Sequence, residues 1–82
     1  MIDYANVVLT IIKPLVEDPT SIDVKVMPTN DENEVKILVI AHEEQIPRLI
    51  GKGGRNANAI RQLVRAAASE EKKRILVDFE SF

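Results

Sequence analysis

All three glycines of the 82-residue chain fall within four positions, in the run Ile50-Gly51-Lys52-Gly53-Gly54-Arg55. Glycine has no Cβ and reaches φ > 0 without steric cost, so such a cluster marks a backbone that turns sharply or is approached closely. A helix C-cap would use one glycine, most naturally Gly51. It would leave unexplained the other two, the Lys52 between them, and the helical pattern that resumes at Arg55. The run therefore predicts a tight helix–loop–helix junction around which the rest of the chain is arranged.

Val7, Val8, Ile11, Ile12 and Leu15 recur at helical spacing behind Asp3, a candidate N-cap. They predict a first helix over residues 3–16, with Pro14 disturbing its end and Pro19 beyond it. Ile22, Val24 and Val26 alternate with Asp23, Lys25 and Met27 as a half-buried strand. After a polar turn over residues 28–33, Val35, Ile37, Val39 and Ala41 form a second alternating set. Leu38 and Ile40 make its end apolar on both faces, which suits a central strand paired with the first as an antiparallel hairpin.

Residues 43–50 read as a short helix, with Pro47 in the first turn where a missing N–H does no harm. Residues 55–69 read as a third helix with a core stripe of Ala57, Ile60, Val64 and Ala67. Ile75, Val77 and Phe79 alternate through a last strand. The right-handed crossover rule returns that strand parallel to the second. The expectation is an α+β fold in the order helix, strand, strand, helix, helix, strand. A three-stranded mixed sheet would pack on three helices, with residues 1–82 as a single domain.

The chain has no cysteine, so packing rather than disulfides or thiolate metal sites must hold it together. Its apolar runs fall far short of the roughly 20 residues of a membrane span, and Met1-Ile2-Asp3-Tyr4 lacks the basic start of a secretory signal. A soluble cytoplasmic protein is the expectation. The formal net charge of −2 is not the footprint of a nucleic-acid binder, but its distribution is uneven. Between Gln45 and Ser69 lie Arg48, Lys52, Arg55, Arg61 and Arg65 with no Asp or Glu. The acids group elsewhere, at Glu17 and Asp18, at Asp31, Glu32, Glu34, Glu43 and Glu44, and from Glu70 onward.

A glycine loop opening a helix, beside Lys52 and Arg55, presents backbone N–H groups suited to phosphate. The absent side chains let a sugar-phosphate backbone lie on the loop. A Walker A reading fails because Lys52 is followed by Gly53 and a helix precedes the loop. A dinucleotide fingerprint fails at Asn56, where its third glycine would fall.

The stretch Arg48-Leu49-Ile50-Gly51-Lys52-Gly53-Gly54-Arg55-Asn56-Ala57-Asn58-Ala59-Ile60-Arg61 resembles the KH domain signature, Ile-Gly-x-x-Gly between two helices. The element order resembles the type II KH topology, and the extent of the likeness resembles the small single-domain bacterial KhpA-type branch of the family. That resemblance implies a clamp on the backbone of about four single-stranded nucleotides. Gly51 and Gly54 would be the fixed glycines, Lys52 and Gly53 the variable pair, and Arg55 a phosphate contact, with Arg48 and Ile50 beside them. Ile46 and Ile60, with Val39 opposite, would form an apolar groove floor, although they read equally well as core. Residues 28–33 would be the variable loop, whose Asp31 and Glu32 do not favour RNA. The likeness further implies an RNA chaperone or post-transcriptional regulator, a larger KH-containing partner, and a link to cell-shape and envelope control.

Tyr4, Phe79 and Phe82 are distant from the loop in sequence, so little base stacking is expected and affinity should be modest. A second apolar stripe on the third helix, Ala59, Leu63 and Ala66, suggests a dimer with itself or a related KH protein, the alternative being that Leu63 rims the core. Catalysis has little to work with: one histidine, His42, sits at a strand-to-helix junction where a capping or exposed role is expected. No metal-ligand set, cofactor motif or small-molecule site is expected. The competing reading is a protein-interaction adaptor that keeps the KH shape but binds little RNA.

Overall fold

The structure, a computed structural model, describes residues 3–16 and 18–82; Met1, Ile2 and Glu17, counted above in the terminus and among the acids, lie outside the described residues. Helix α1 spans Tyr4–Ile12, and the Asp3 carboxylate caps it by accepting the Asn6 backbone N–H at 3.1 Å. Its buried line is Tyr4, Val8 and Ile12, spaced by four, while Val7 and Ile11 are half-buried. The helix ends earlier than expected: Lys13–Leu15 tighten into a 3₁₀ turn around Pro14. Proline lacks an N–H to donate and its ring crowds the carbonyl four residues back.

Strand β1, Asp23–Met27, pairs antiparallel with β2, Glu34–Ala41, and β2 pairs parallel with β3, Arg74–Ser81. The order β1-β2-β3 makes β2 central, as its pattern predicted. Val35, Ile37, Val39 and Ala41 are buried in strict alternation, whereas Leu38 and Ile40 are only half-buried on the other face. The inward line fades along β1, from buried Ile22 just before the strand through half-buried Val24 to Val26, which is 50% exposed. The helical layer does not reach the far end of this edge strand.

Helix α2 spans Ile46–Ile50, three residues shorter than expected, because His42 to Gln45 form a turn closed by the Gln45 N–H to the His42 carbonyl at 2.8 Å. The Gln45 amide also donates to Ser21 Oγ, tying the start of α2 to a 3₁₀ turn at Pro19–Ser21. Helix α3, Arg55–Ala67, buries Ala57, Ile60 and Val64. The stripe is completed by Ala68, 1% exposed, and not by Ala67, which faces outward. Four residues from Val64 return to the same face and three fall short of it.

The Tyr4 hydroxyl donates to the Glu71 carboxylate at 2.5 Å, joining the first helix to the turn that follows α3. Burial, then the Glu71 hydrogen bond and charge, push the Tyr4 hydroxyl up from its ordinary value to about 12. A pKa higher in the folded state means that the folded chain holds this proton more tightly, so its stabilising contribution is complete below pH about 10 and is lost as pH rises toward about 12. Tyr4 is the only tyrosine, so phenolate absorbance should titrate as one transition near pH 12. Tyr4→Phe should lower stability by about 1.5–3 kcal/mol at neutral pH, measured by urea denaturation, and should flatten the alkaline loss of stability.

Candidate nucleic-acid interface

Leu49, fully buried, roots α2 in the core and turns Ile50 toward the junction. The Gly51 N–H closes α2 on the Pro47 carbonyl at 2.8 Å, and the Gly51 carbonyl accepts the Gly54 N–H at 3.1 Å. Gly51 lies at φ 75°, ψ 169°, a region open essentially to glycine alone. Gly53 (66°, 18°) and Gly54 (79°, 13°) lie in the left-handed region, so all three glycines are required by conformation. A Cβ on Gly51 would come within 2.9 Å of Asn56 Cγ and backbone N. A Cβ on Gly53 would meet nothing within 4 Å.

Asn56 explains the crowding at Gly51. Its side-chain amide crosses the junction and donates to the Arg48 carbonyl at 2.8 Å, holding the first turn of α3 against α2. Sequence reasoning did not assign this residue; the signal was an asparagine in the first turn after the loop, able to reach back to an exposed carbonyl. Lys52, between Gly51 and Gly53, and Arg55, directly after Gly54, are exposed, and Arg48 is exposed on α2. The loop thus brings Arg48, Lys52 and Arg55 to the N-terminus of a thirteen-residue helix, whose dipole favours anions, while the Arg55 N–H is itself taken up by the Lys52 carbonyl.

The predicted groove floor divides. Ile46 and Ile50 are half-buried, Ile50 directly before Gly51 and Ile46 packed against the core at the start of α2, whereas Val39 and Ile60 have no exposed surface and belong to the core. For those two the core alternative is what the structure adopts. Ala59, Leu63 and Ala66 are exposed on α3, Leu63 at 53%. Ala59 and Leu63 border a shallow apolar cleft of about 160 Å³ together with Ile11 and Leu15.

Arg61 is not one of the exposed loop cations. It is half-buried, its Nε and Nη2 donate to the Val77 carbonyl at 3.3 and 3.1 Å, and its Nη1 donates to Asn58 Oδ1 at 3.4 Å. Its guanidinium carbon lies 5.9 Å from the centre of the Phe79 ring. An aromatic remote from the loop in sequence is thus carried by β3 to the helix that begins at the loop. Elsewhere, His42 is exposed; its Nδ1 accepts the Glu44 N–H at 3.4 Å and its ring meets Phe82 edge-on at 5.7 Å. A larger hollow of about 410 Å³, lined by Asp18, Ser21, His42, Glu44, Gln45 and Arg48, carries two carboxylates and shares only Arg48 with the loop surroundings. Among the described residues no group of three or more His, Asp or Glu could hold a metal ion, and no helix is long and apolar enough to cross a membrane.

A model of the KhpA/KhpB KH domain family matches residues 5–79. The RNA-binding protein KhpA of Caldanaerobacter subterraneus subsp. tengcongensis is 40% identical over 73 residues, covering 89% of this chain and 95% of its own length. The KhpA of Listeria monocytogenes is 38% identical over 73 residues, with 89% and 93% covered. Among solved structures, Aquifex aeolicus Era bound to GDP and AlF4− superposes with a TM-score of 0.68 at 24% identity over 95% of this chain, which spans 29% of Era. Era in complex with MgGDPNP and nucleotides 1506–1542 of 16S ribosomal RNA superposes equally well. The likeness to Era is one of fold.

The glycine geometry sets an order of tolerance. Gly51→Ala meets both a forbidden backbone region and Asn56, and should cost more than about 2 kcal/mol of stability. Gly53→Ala faces only the left-handed penalty, about 1 kcal/mol. Thermal denaturation of the two variants measures the difference, and equal losses would contradict the role given to Asn56.

Proposed function

The chain belongs to the KhpA/KhpB KH domain family, and from that membership we propose that residues 1–82 act as one KH domain clamping single-stranded RNA in the loop Gly51-Lys52-Gly53-Gly54. The observation that carries this reading is the loop backbone, with three positive-φ glycines leading into α3 beside exposed Lys52 and Arg55. Gly51 and Gly54 set the turn, and the bare Gly53 admits the sugar-phosphate backbone. Lys52, Arg55 and Arg48 supply charge to phosphates, while Ile50 and Ile46 form the apolar wall beside them. The KhpA relatives are named RNA-binding proteins, and Era, of like fold, occurs in complex with ribosomal RNA.

The chain would act as a cytoplasmic RNA chaperone or post-transcriptional regulator, with no catalytic step, and within the cell-shape and envelope control that the resemblance implies. Few phosphates are within reach of one loop, so a lone domain binds modestly. A second copy, or a larger KH-containing protein, docked on Ala59, Leu63 and Ala66 raises the local concentration of clamps. The 53% exposure of Leu63 beside the cleft with Ile11 and Leu15 supports that surface.

Fluorescence titration with a short single-stranded RNA tests the clamp. Lys52→Asp combined with Gly53→Asp should weaken binding at least about tenfold, because repulsion replaces two phosphate contacts. Aspartate tolerates the left-handed conformation and the space at Gly53 is open, so the variant should fold. Wild-type affinity should fall with salt at a slope of about −0.7 per phosphate contact. Binding unchanged in the double variant would remove the loop from the interface. Leu63→Asp should lower the sedimentation mass at micromolar concentration, and an unaltered mass would exclude the α3 surface.

A further inference from the structure

The two edge strands of the sheet differ. On β3 the Val77 carbonyl is taken by the Arg61 guanidinium. On β1, among the described residues, no side chain reaches a backbone group of Asp23–Met27. Because β1 pairs with β2 on one side only, every second N–H and C=O along its other side is left open, a template for a further strand. Short length and charged side chains commonly blunt such an edge, and β1 has both. Its charges are Asp23 and Lys25, opposite in sign and placed on either side of Val24. That spacing makes the edge complementary to a copy of itself.

We propose that β1 is an interaction edge at which a second copy of the chain adds its own β1 antiparallel, joining the two three-stranded sheets into one. A two-fold axis through Val24 sets Asp23 opposite Lys25 of the second copy, and Lys25 opposite its Asp23. Moving the axis to Asp23 or to Lys25 places like charges face to face, which is unfavourable. Moving it to Val26 brings Pro28, which has no N–H, against Val24. An axis between two residues would turn the inward face of one copy outward in the other. Of these registers the one through Val24 satisfies charge and pleat together.

The same register answers the exposure of Val26. Burial fades from Ile22, 9% exposed, to Val26, 50% exposed. The axis through Val24 sets Val26 opposite Ile22 of the second copy, the end at which the helical layer covers the strand. The inward apolar row then continues from one copy into the other. On the outward face the 3.7 Å pair of Asp23 with Lys25 within one chain gives way to two cross-strand pairs between copies. The axis stands perpendicular to the sheet, so both helical layers, and with them both glycine loops, lie on one side. Leu63, on α3, takes no part and keeps its own surface.

The test needs no RNA, so its failure leaves the RNA reading untouched. Sedimentation would compare full chains that all carry Leu63→Asp, which removes the α3 surface from the measurement. That parent should form a weak dimer as concentration rises. Adding Asp23→Lys alone, or Lys25→Asp alone, should weaken self-association about 5- to 30-fold, because each turns two attractive cross-strand pairs into repulsive ones. Mixed in equal amounts, the two variants present a doubly cationic edge to a doubly acidic one, and the mixed dimer should regain at least the parent's affinity. Both side chains are exposed, so both variants should fold. A mixture that associates no better than its components would overturn the proposal, as would parent-level association in each single variant. A parent that stays monomeric at every concentration would also overturn it. Hydrogen exchange on the unaltered chain gives an independent reading: amides on the open side of β1 should gain protection as concentration rises, and exchange there that ignores concentration would equally rule out the second copy.

Discussion

The arrangement depends on the contact between the bare Cα of Gly51 and the side chain of Asn56. Helix α2 has five residues, too few to be stable on its own. It persists because Leu49 is buried, because Gln45 is tied to Ser21, and because Asn56 donates to the Arg48 carbonyl. The last bond requires Asn56 to press on position 51, where any Cβ would displace it. Conformation and packing therefore demand glycine there for separate reasons. The relative setting of α2 and α3, and with it the direction in which the loop N–H groups and the α3 dipole point, follows from that one contact.

Charge is segregated by the same topology. On the sheet, Arg74 pairs with Glu34 at 2.8 Å, Lys36 with Asp78 at 3.9 Å and Lys25 with Asp23 at 3.7 Å. The Lys25 and Lys36 pairs are exposed on both sides and contribute little to stability, about 0–1 kcal/mol each, whereas the Glu34 partner of Arg74 is half-buried. Together the pairs neutralise the cations of the sheet against its acids. Lys52 and Arg55 lie in the acid-free stretch of chain and keep their field beyond the glycines. With screening over about 8 Å at physiological salt, a phosphate on the loop senses these neighbours more than the overall charge of −2.

Much of this was legible in the sequence because it is written in local periodicity. The alternation through Val35, Ile37, Val39 and Ala41 defined the central strand, and the glycine cluster defined the junction. The KH resemblance was carried by the junction and by element order, and the family match bears it out. What escaped depends on contacts between distant segments or on fine angular register. Ala67 and Ala68 differ by one position in a run of identical side chains, and only the helix phase separates them. The start of α2 moved because His42 to Gln45 close a turn that the Glu43 and Glu44 helix propensity did not reveal. Val26 looks like core in a strand pattern and is exposed because helices do not reach the end of β1. Phe79 was judged by its sequence distance from the loop, yet the parallel crossover returns β3 alongside α3.

Helix phase also bears on how the proposed RNA and partner surfaces coexist. At about 100° per residue, Ala57, Ile60 and Val64 define the inward direction of α3. Asn58, Arg61 and Arg65 fall on one flank of it, whereas Ala59, Leu63 and Ala66 fall on the far side, their centre about 130° from the first group. The flank carrying Arg61 faces β3, as its bonds to Val77 require. The side carrying Leu63 meets Ile11 and Leu15 across the shallow cleft. An RNA strand held at the loop would leave the Leu63 side uncovered, and a second copy on that side would leave the loop and the Arg61 flank open. One helix can therefore serve both contacts at once, which is the geometric condition for two weak clamps to act on one RNA as a stronger pair.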